Sequence, residues 1–250
     1  MLRTAVIAIA TIFIGLSKAG FGGGTGLVAT PLLAMVMTAR EAIGLMLPLL
    51  VMTDILSMLY YWRRWDTTNV IALIPGAIVG IMLGGTVLND MPEIWLKRTI
   101  GVIALIFVLV QTWRNLRSQG KDDKDGPMEI GHRYLKGFAA GVGAGVSSTL
   151  AHIGGVVVSM YLLPQRLSNR TYVGTTTAVF FIINATKVPV YLKLNILNGR
   201  IFSDDLLLLP LLGMGVLSGI LLNRRVSKRT FSYIILALVL ISGTKLLIRG

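Results

Sequence analysis

Apolar residues occur along this chain in ten long blocks separated by polar stretches. The blocks are residues 4–14, 27–37, 42–60, 70–88, 94–113, 134–146, 155–164, 171–190, 206–222 and 230–248. Six of them are close to the roughly 20 apolar residues with which an α-helix crosses a bilayer. The blocks at 4–14, 27–37, 134–146 and 155–164 are about half that length. Their length suits half-helices or re-entrant segments.

The short blocks form two pairs, and a glycine-rich break divides each pair. The first break reads "GLSKAGFGGGTG" at 15–26, and the second reads "GVSSTLAHIGG" at 145–155. Irregular backbone at membrane depth is tolerated only where protein or a water-filled cavity surrounds it. We therefore expect both breaks to lie inside the protein, with helices resuming near Thr25 and Gly154.

The two halves of the chain resemble each other across one hydrophilic stretch at 114–133. This stretch predicts a linker between a first membrane repeat, 1–113, and a second, 134–250. Matching residues recur in the same order at a shift of 130 and then of 135. The pairs are Gly15–Gly145, Ser17–Ser147, Gly24–Gly154, Thr38–Ser168, Arg40–Arg170, Gly44–Gly174, Asp54–Asn184, Pro75–Pro210, Gly80–Gly215 and Gly84–Gly219. Order across two blocks indicates an internal duplication, as many secondary transporters have.

The relative orientation of the repeats depends on how the short pairs cross the membrane. If each pair is a re-entrant hairpin, three full spans follow it and the halves are inverted. If each pair crosses once, four spans follow and the halves are parallel. The inverted arrangement is the one we expect, and it gives an all-α polytopic protein in which the hairpin tips meet near the midplane. The linker side carries more Lys and Arg in either arrangement, which places it in the cytoplasm.

Composition supports a membrane protein and excludes several other classes. Hydrophobic residues make up 54% of the chain and charged residues only 14%, against roughly 25% in soluble domains. The formal charge of +13 is spread over short loops, which disfavours nucleic-acid binding and suits contact with anionic lipid. The absence of cysteine excludes disulfides and thiolate metal sites. We expect no metal and no cofactor.

The first break offers groups that suit an anion. Lys18 brings a full positive charge, and the helix that resumes near Thr25 presents amide hydrogens and a positive dipole end. Glycines allow that backbone to approach a ligand closely. The candidate binding residues here are Ser17, Lys18, Gly22, Gly23, Gly24 and Thr25. The alternative is close helix packing, with Lys18 extending to an interface.

The second break offers hydroxyl groups and one histidine. Its candidates are Ser147, Ser148, Thr149, His152 and Gly154. Hydroxyls and amide hydrogens suit an oxyanion, and His152 could donate a hydrogen bond or carry a proton. The alternative for His152 is a satisfied structural group.

Two further charged residues occur within predicted spans. Asp54 interrupts the block 42–60, and Lys187 lies in the block 171–190 together with Asn184. A charge at a helix centre costs roughly 2.5–3.5 kcal/mol on insertion scales. One hypothesis is that Asp54 and Lys187 pair across the repeat interface. The other is functional: Asp54 titrates during transport, or Lys187 contacts substrate, with Asn184 as a further candidate contact.

Two segments carry a family resemblance. "GLSKAGFGGGTGLVATPLL" resembles the first signature of the TauE/SafE sulfite exporter family, and "GVGAGVSSTLAHIGGVVVSMYLL" is similar to its second copy. The resemblance implies a multi-pass carrier of the bacterial inner membrane. It implies export of sulfite, organosulfonates or related sulfur anions, coupled to a proton or ion gradient. The resemblance assigns no single residue, so the site residues above remain predictions from this sequence.

Enzymatic activity is not expected. The chain has no P-loop, no GxSxG and no HExxH motif. An intramembrane lipid-phosphate hydrolase stays open as the alternative, because a Gly/Ser-rich loop can bind phosphate, and a channel is a weaker one. The predicted partners are a small sulfur-containing anion and membrane lipid; a homo-oligomer is possible.

Overall fold

The fold is described from a computed structural model that covers residues 2–21, 25–117, 130–222 and 228–249. The described residues form ten α-helices and no strand. The helices are α1 Leu2–Phe21, α2 Thr25–Ala34, α3 Ala39–Tyr60, α4 Thr67–Asp90, α5 Glu93–Arg117, α6 Ile130–Ala151, α7 Gly154–Leu162, α8 Asn169–Lys193, α9 Gly199–Leu222 and α10 Lys228–Arg249. A short 3-10 turn, Leu163–Gln165, follows α7.

The chain is a multi-pass membrane protein. Among the described residues, α3, α4 and α8 are long and apolar enough to cross a bilayer. Large apolar side chains such as Val79, Met82 and Leu83 of α4 are about half exposed on the protein surface. Exposed apolar side chains on a spanning helix suit contact with lipid.

Helices α1 and α6 are longer than the sequence predicts. The break predicted at 15–26 begins only after Phe21, so Ser17 and Lys18 lie in the last turns of α1. The break predicted at 145–155 is confined to His152 and Ile153 between α6 and α7. Hydroxyl side chains explain the difference in α6, because Ser147 Oγ donates to the Gly143 carbonyl at 2.6 Å and does not interrupt the helix.

The predicted linker is also shorter than 114–133. Helix α5 continues to Arg117, and α6 begins at Ile130. Residues 118–129 of this stretch lie outside the described part of the chain.

Two helix crossings use glycine in the same way. A Cβ atom on Gly80 of α4 would overlap the Val142 carbonyl of α6, and one on Gly215 of α9 would overlap the Ile12 carbonyl of α1. A shift of 135 relates the two glycines, and a shift of 130 relates their partners. Without side chains at these points the backbones approach closely, as in other packed membrane helices.

Helices α3 and α8 run in opposite directions. Gly174, near the start of α8, packs on the Arg64 carbonyl just after the end of α3. Gly44, near the start of α3, packs on the Ile196 carbonyl just after the end of α8. Each helix therefore begins where the other ends.

Helices α6 and α7 form a hairpin that returns to its own starting end. The Tyr161 hydroxyl near the end of α7 donates to the Arg133 carbonyl near the start of α6, at 3.1 Å. At the other end of the protein, Arg3 at the start of α1 lies 3.6 Å from Glu41, shortly after α2. The beginning of α1 is thus close to the helix that follows α2.

Residues with hydroxyl side chains cap the two antiparallel helices. The Thr38 hydroxyl accepts from the Glu41 amide at 3.2 Å, and Glu41 accepts in return from the Thr38 amide. Ser168 caps α8 by accepting from the Thr171 amide at 3.2 Å. These caps satisfy amides that have no partner within the helix, and so fix where α3 and α8 begin.

Candidate functional site

The carboxylate of Asp54 is buried inside the protein. It lies in the penultimate turn of α3, with no exposed surface. Lys18 of α1 forms an ion pair with Asp54 Oδ1, and Asn184 of α8 donates to Asp54 Oδ2 at 2.6 Å. A buried carboxylate is strongly destabilising unless it is paired and hydrogen-bonded. These two partners meet that requirement from two different helices.

The ammonium of Lys187 lies close by, with neutral partners. Lys187 is fully buried in α8. Among the described residues, its ammonium contacts the Ser148 hydroxyl at 3.0 Å, the Ser148 carbonyl at 3.3 Å and His152 Nδ1 at 2.8 Å. These three contacts match the three donors of an ammonium group. They solvate the charge without neutralising it.

His152 connects Lys187 to the end of α6. Its backbone has φ of 56°, the left-handed conformation that ends the helix. The Ile43 carbonyl, 2.9 Å from Nε2, can only accept, so Nε2 carries the ring proton. Nδ1 then has a free lone pair, which accepts from Lys187. In this tautomer His152 orients the lysine.

Together these side chains form a cluster that we call the charged centre. Its members are Lys18, Asp54, Ser148, His152, Asn184 and Lys187. Within the described part of the chain, two lysines and one carboxylate meet here, and this excess of basic groups gives a potential that favours an anion. Helix α7 begins at Gly154, two residues after His152, and its positive dipole end adds to this potential.

Burial away from water is the strongest electrostatic influence on Lys187, followed by attraction to Asp54 and repulsion from Lys18. The three charges therefore act on one another across the charged centre. An anion that entered would be attracted by both lysines and repelled by one carboxylate.

The structure corrects the predicted pairing of Asp54 with Lys187. The ion pair joins Asp54 to Lys18 instead. The physical reason is that α1 continues past its predicted end, which carries Lys18 to the side of α3. Lys187 finds its acceptors on Ser148 and His152.

Other predicted site residues lie near the charged centre but are engaged elsewhere. The hydroxyls of Ser147 and Thr149 donate to carbonyls of their own helix, Gly143 and Gly145, at 2.6 and 2.8 Å. Ser17 is buried one residue before Lys18.

The glycine-rich candidates fall at the two helix starts. Gly154 begins α7, where a Cβ atom would lie 2.6 Å from the Ala144 carbonyl, so glycine permits the tight hairpin. Thr25 begins α2, but its side chain lies outside the described residues, as do Gly22, Gly23 and Gly24.

The sequence interpretation missed Tyr191 and the Ile43 carbonyl. Tyr191 is fully buried one turn after Lys187, and its hydroxyl donates to the Thr149 carbonyl at 2.6 Å. Its ring centroid lies 5.9 Å from the Lys187 ammonium. The spacing of four residues on a helix was the available signal. The backbone carbonyl of Ile43 gives no signal in a sequence.

The described residues contain no group of three or more side chains suited to hold a metal ion.

Comparison with known families matches nearly the whole chain. The model of the family described as Sulfite exporter TauE/SafE matches residues 7–246. The chain belongs to the TauE/SafE sulfite exporter family. Membership indicates a membrane transporter of sulfur-containing anions, which agrees with the apolar helices of this TauE/SafE protein. Comparison with curated proteins and with solved structures gives no match.

Proposed function

We propose that this protein is a secondary active transporter that exports a small sulfur oxyanion such as sulfite or an organosulfonate. The observation that carries the proposal is that the charged centre holds two lysines and one carboxylate, and that Asp54 pairs with Lys18 while Lys187 contacts only Ser148 and His152 among the described residues. An uncompensated buried charge is costly, and a bound anion would remove that cost. Family membership supplies the chemical class of the anion.

Lys187 and Ser148 are the proposed primary contacts of the anion. Lys187 has only neutral partners among the described residues, whereas Lys18 is paired with Asp54. The Ser148 hydroxyl can turn from Lys187 to donate to an oxyanion. Hydrogen bonds between charged groups and oxyanions are roughly twice as strong as neutral ones. Ser17, Ser147, Thr149, the amides around Gly22–Thr25 and Gly154, and Asn184 complete the proposed lining.

We further propose that residues 1–113 and 134–250 are inverted repeats joined by the linker at 114–133. The antiparallel α3 and α8, the equivalent caps Thr38 and Ser168, and the matched glycine crossings at Gly80 and Gly215 support this arrangement. The hairpin of α6 and α7, which returns to its own end, supports a re-entrant element in each repeat. Two such hairpins would bring a midplane site to each side of the membrane in turn.

Coupling to a proton or ion gradient is part of the same proposal. Asp54 is the proposed coupling group, because its carboxylate neutralises one lysine and would release it when protonated. His152 is the second candidate, since it holds Lys187 through Nδ1 at 2.8 Å. The protein would act in the bacterial inner membrane, with lipid around it.

The hydrolase alternative would need a general base, and His152 is not free to act as one. Both ring nitrogens of His152 are engaged, Nε2 with the Ile43 carbonyl and Nδ1 with Lys187. A general base needs a free nitrogen within reach of the group that it deprotonates. No observation here favours hydrolysis over transport.

Anion counterflow in proteoliposomes tests the proposal. The panel contains sulfite, sulfate, thiosulfate, short sulfonates and phosphate, each with and without a pH gradient. We expect saturable flux of at least one sulfur anion and a response to the gradient. Flux that does not saturate would indicate a channel, and the absence of flux across the panel would contradict the proposed function.

A further inference from the structure

The charged centre lies where a residue meets its own counterpart in the other repeat. Asp54 and Asn184 are hydrogen-bonded to each other at 2.6 Å and are 130 positions apart, the shift that relates the proposed repeats. A residue in contact with its own symmetry mate lies on the two-fold axis that relates the halves. The inference below rests on the proposed function and on its inverted repeats.

Around this axis, lysine and serine occupy equivalent positions. The same shift makes Ser148 the mate of Lys18, and Lys187 the mate of Ser57. The contact between Lys187 and the Ser148 hydroxyl, 3.0 Å, therefore has a counterpart that would join Lys18 to Ser57. That counterpart is not formed in the structure, where Lys18 contacts Asp54.

Ser57 is well placed to receive Lys18. It lies one turn after Asp54 on α3, and its hydroxyl donates to the Thr53 carbonyl at 2.7 Å. The lone pairs of that oxygen can still accept from an ammonium group. A lysine that leaves Asp54 can therefore meet a second acceptor three residues away on the same face of the helix.

In a transporter built from inverted repeats, each half can adopt the conformation of the other half. When the two halves exchange conformations in this way, the substrate site opens to the opposite side of the membrane. Contacts formed by one half in the first state are then formed by the equivalent residues in the second.

We propose that Asp54 exchanges lysine partners between the two states of the transporter. In the structure, Asp54 holds Lys18 while Lys187 rests on Ser148. In the opposite-facing state, the repeat relation places Lys18 on Ser57. The carboxylate that Lys18 leaves then pairs with Lys187, the other lysine of the charged centre, because Asp54 attracts it. The lysine that rests on a serine binds the sulfur oxyanion, because no carboxylate neutralises it.

The exchange is electrostatically balanced. One carboxylate neutralises one lysine in either state, so the net charge buried in the charged centre does not change. Asp54 already attracts Lys187, and Lys18 repels it. A switch that moves no additional charge out of water avoids the large desolvation cost of a buried ion.

Distances between spin labels test the exchange directly. The chain has no cysteine, so introduced cysteines carry the labels without background. One labelled pair is Thr4 with Lys193, and its equivalent pair is Tyr134 with Arg63; all four residues are exposed. If the halves exchange conformations, the distance distributions of the two pairs interchange between the two states.

Two matched serine substitutions test which of the two states each serine stabilises. Ser57→Ala removes the acceptor of the opposite-facing state, and Ser148→Ala removes the acceptor of the described state. We expect population shifts in opposite directions, each roughly tenfold for one hydrogen bond to a charged group. The control is Ser242→Ala on α10, whose hydroxyl makes a similar bond to the Leu238 carbonyl at 2.7 Å. Lys187→Met removes the lysine that Asp54 holds in the opposite-facing state. We expect it to shift the population in the same direction as Ser57→Ala.

The outcomes separate this inference from the proposed function. Shifts in the same direction, no shift in either serine variant, or label pairs that do not interchange would overturn the partner exchange. Counterflow of sulfite and methanesulfonate is measured on the same unlabelled protein. Opposite population shifts in the two serine variants without anion flux would support the partner exchange and contradict the transport function. Anion flux without opposite population shifts would support the transport function and contradict the partner exchange.

Discussion

Asn184 donates a hydrogen bond to the carboxylate of Asp54 at 2.6 Å, across the interface of α3 and α8. Lys18 holds the other carboxylate oxygen. Asp54 is thus fixed from both sides, and this leaves Lys187 as the buried cation with neutral partners among the described residues. The stability and the proposed activity of the protein both depend on this division of partners.

Removal of Lys18 is expected to destabilise the protein more than removal of Asp54. Lys18→Ala leaves a fully buried carboxylate without its ion-pair partner, a loss typically of about 3–5 kcal/mol. Asp54→Asn keeps an acceptor for Asn184, and the Lys18 side chain, 13% exposed, is closer to the surface. The double variant Lys18→Met with Asp54→Asn should recover most of the loss. Thermal unfolding in detergent measures this order, and a Lys18→Ala variant as stable as the wild type would contradict it.

The matched glycine crossings are expected to be equally intolerant of a methyl group. Gly80→Ala and Gly215→Ala each place a Cβ atom against a backbone carbonyl, with an expected cost of about 1–3 kcal/mol for overpacking. Gly213→Ala is the control on α9, because its Cβ would meet no atom within 4 Å. Melting temperatures of the three variants provide the comparison. A control that loses as much as Gly215→Ala would show that the crossing is not the cause.

Tyr191→Phe is expected to lower stability by about 1 kcal/mol, the typical net value of one hydrogen bond. The substitution leaves the Thr149 carbonyl, in the last turn of α6, without the donor that lies 2.6 Å away. Tyr60→Phe is a suitable control, because Tyr60 is 75% exposed. Equal melting temperatures for Tyr191→Phe and the wild type would mean that water or another group replaces the hydroxyl.

His152→Asn is expected to fold but to bind the anion more weakly. Asparagine tolerates the left-handed backbone found at φ of 56°, so the end of α6 should persist. Its shorter side chain cannot both donate to the Ile43 carbonyl and accept from Lys187, so the lysine loses its orientation. We expect a fall in sulfite affinity of roughly tenfold, from the loss of one hydrogen bond to a charged group. Unchanged affinity in a folded variant would assign His152 a purely structural role.

Much of the architecture could be predicted from the sequence, because lipid imposes strict rules on helix length and composition. The family resemblance, the apolar helices and the start of α2 at Thr25 and of α7 at Gly154 are confirmed. The end of α6 lies later than predicted, because Ser147 and Thr149 satisfy their hydroxyls within a continuing helix. The end of α1, at Phe21, also lies later than predicted. Glycine content alone does not reveal where a helix stops.

Within the charged centre, the sequence could identify the members but not their pairing. Asp54, Lys18 and Lys187 stand out as charges in apolar segments. Which lysine meets Asp54 depends on how far α1 extends and on acceptors such as the Ile43 carbonyl, a backbone group that no sequence pattern marks. The hypothesis that Asp54 pairs with Lys187 is wrong for this reason.

The central claim is that the charged centre binds a sulfur oxyanion through Lys187. Its most direct test is titration of the purified protein with sulfite by isothermal calorimetry, for the wild type, for Lys187→Ala and for the exposed control Lys193→Ala on the same helix. The account predicts saturable binding in the wild type and in the control, and a loss of at least roughly tenfold in affinity for Lys187→Ala. Equal affinity in all three proteins would contradict it.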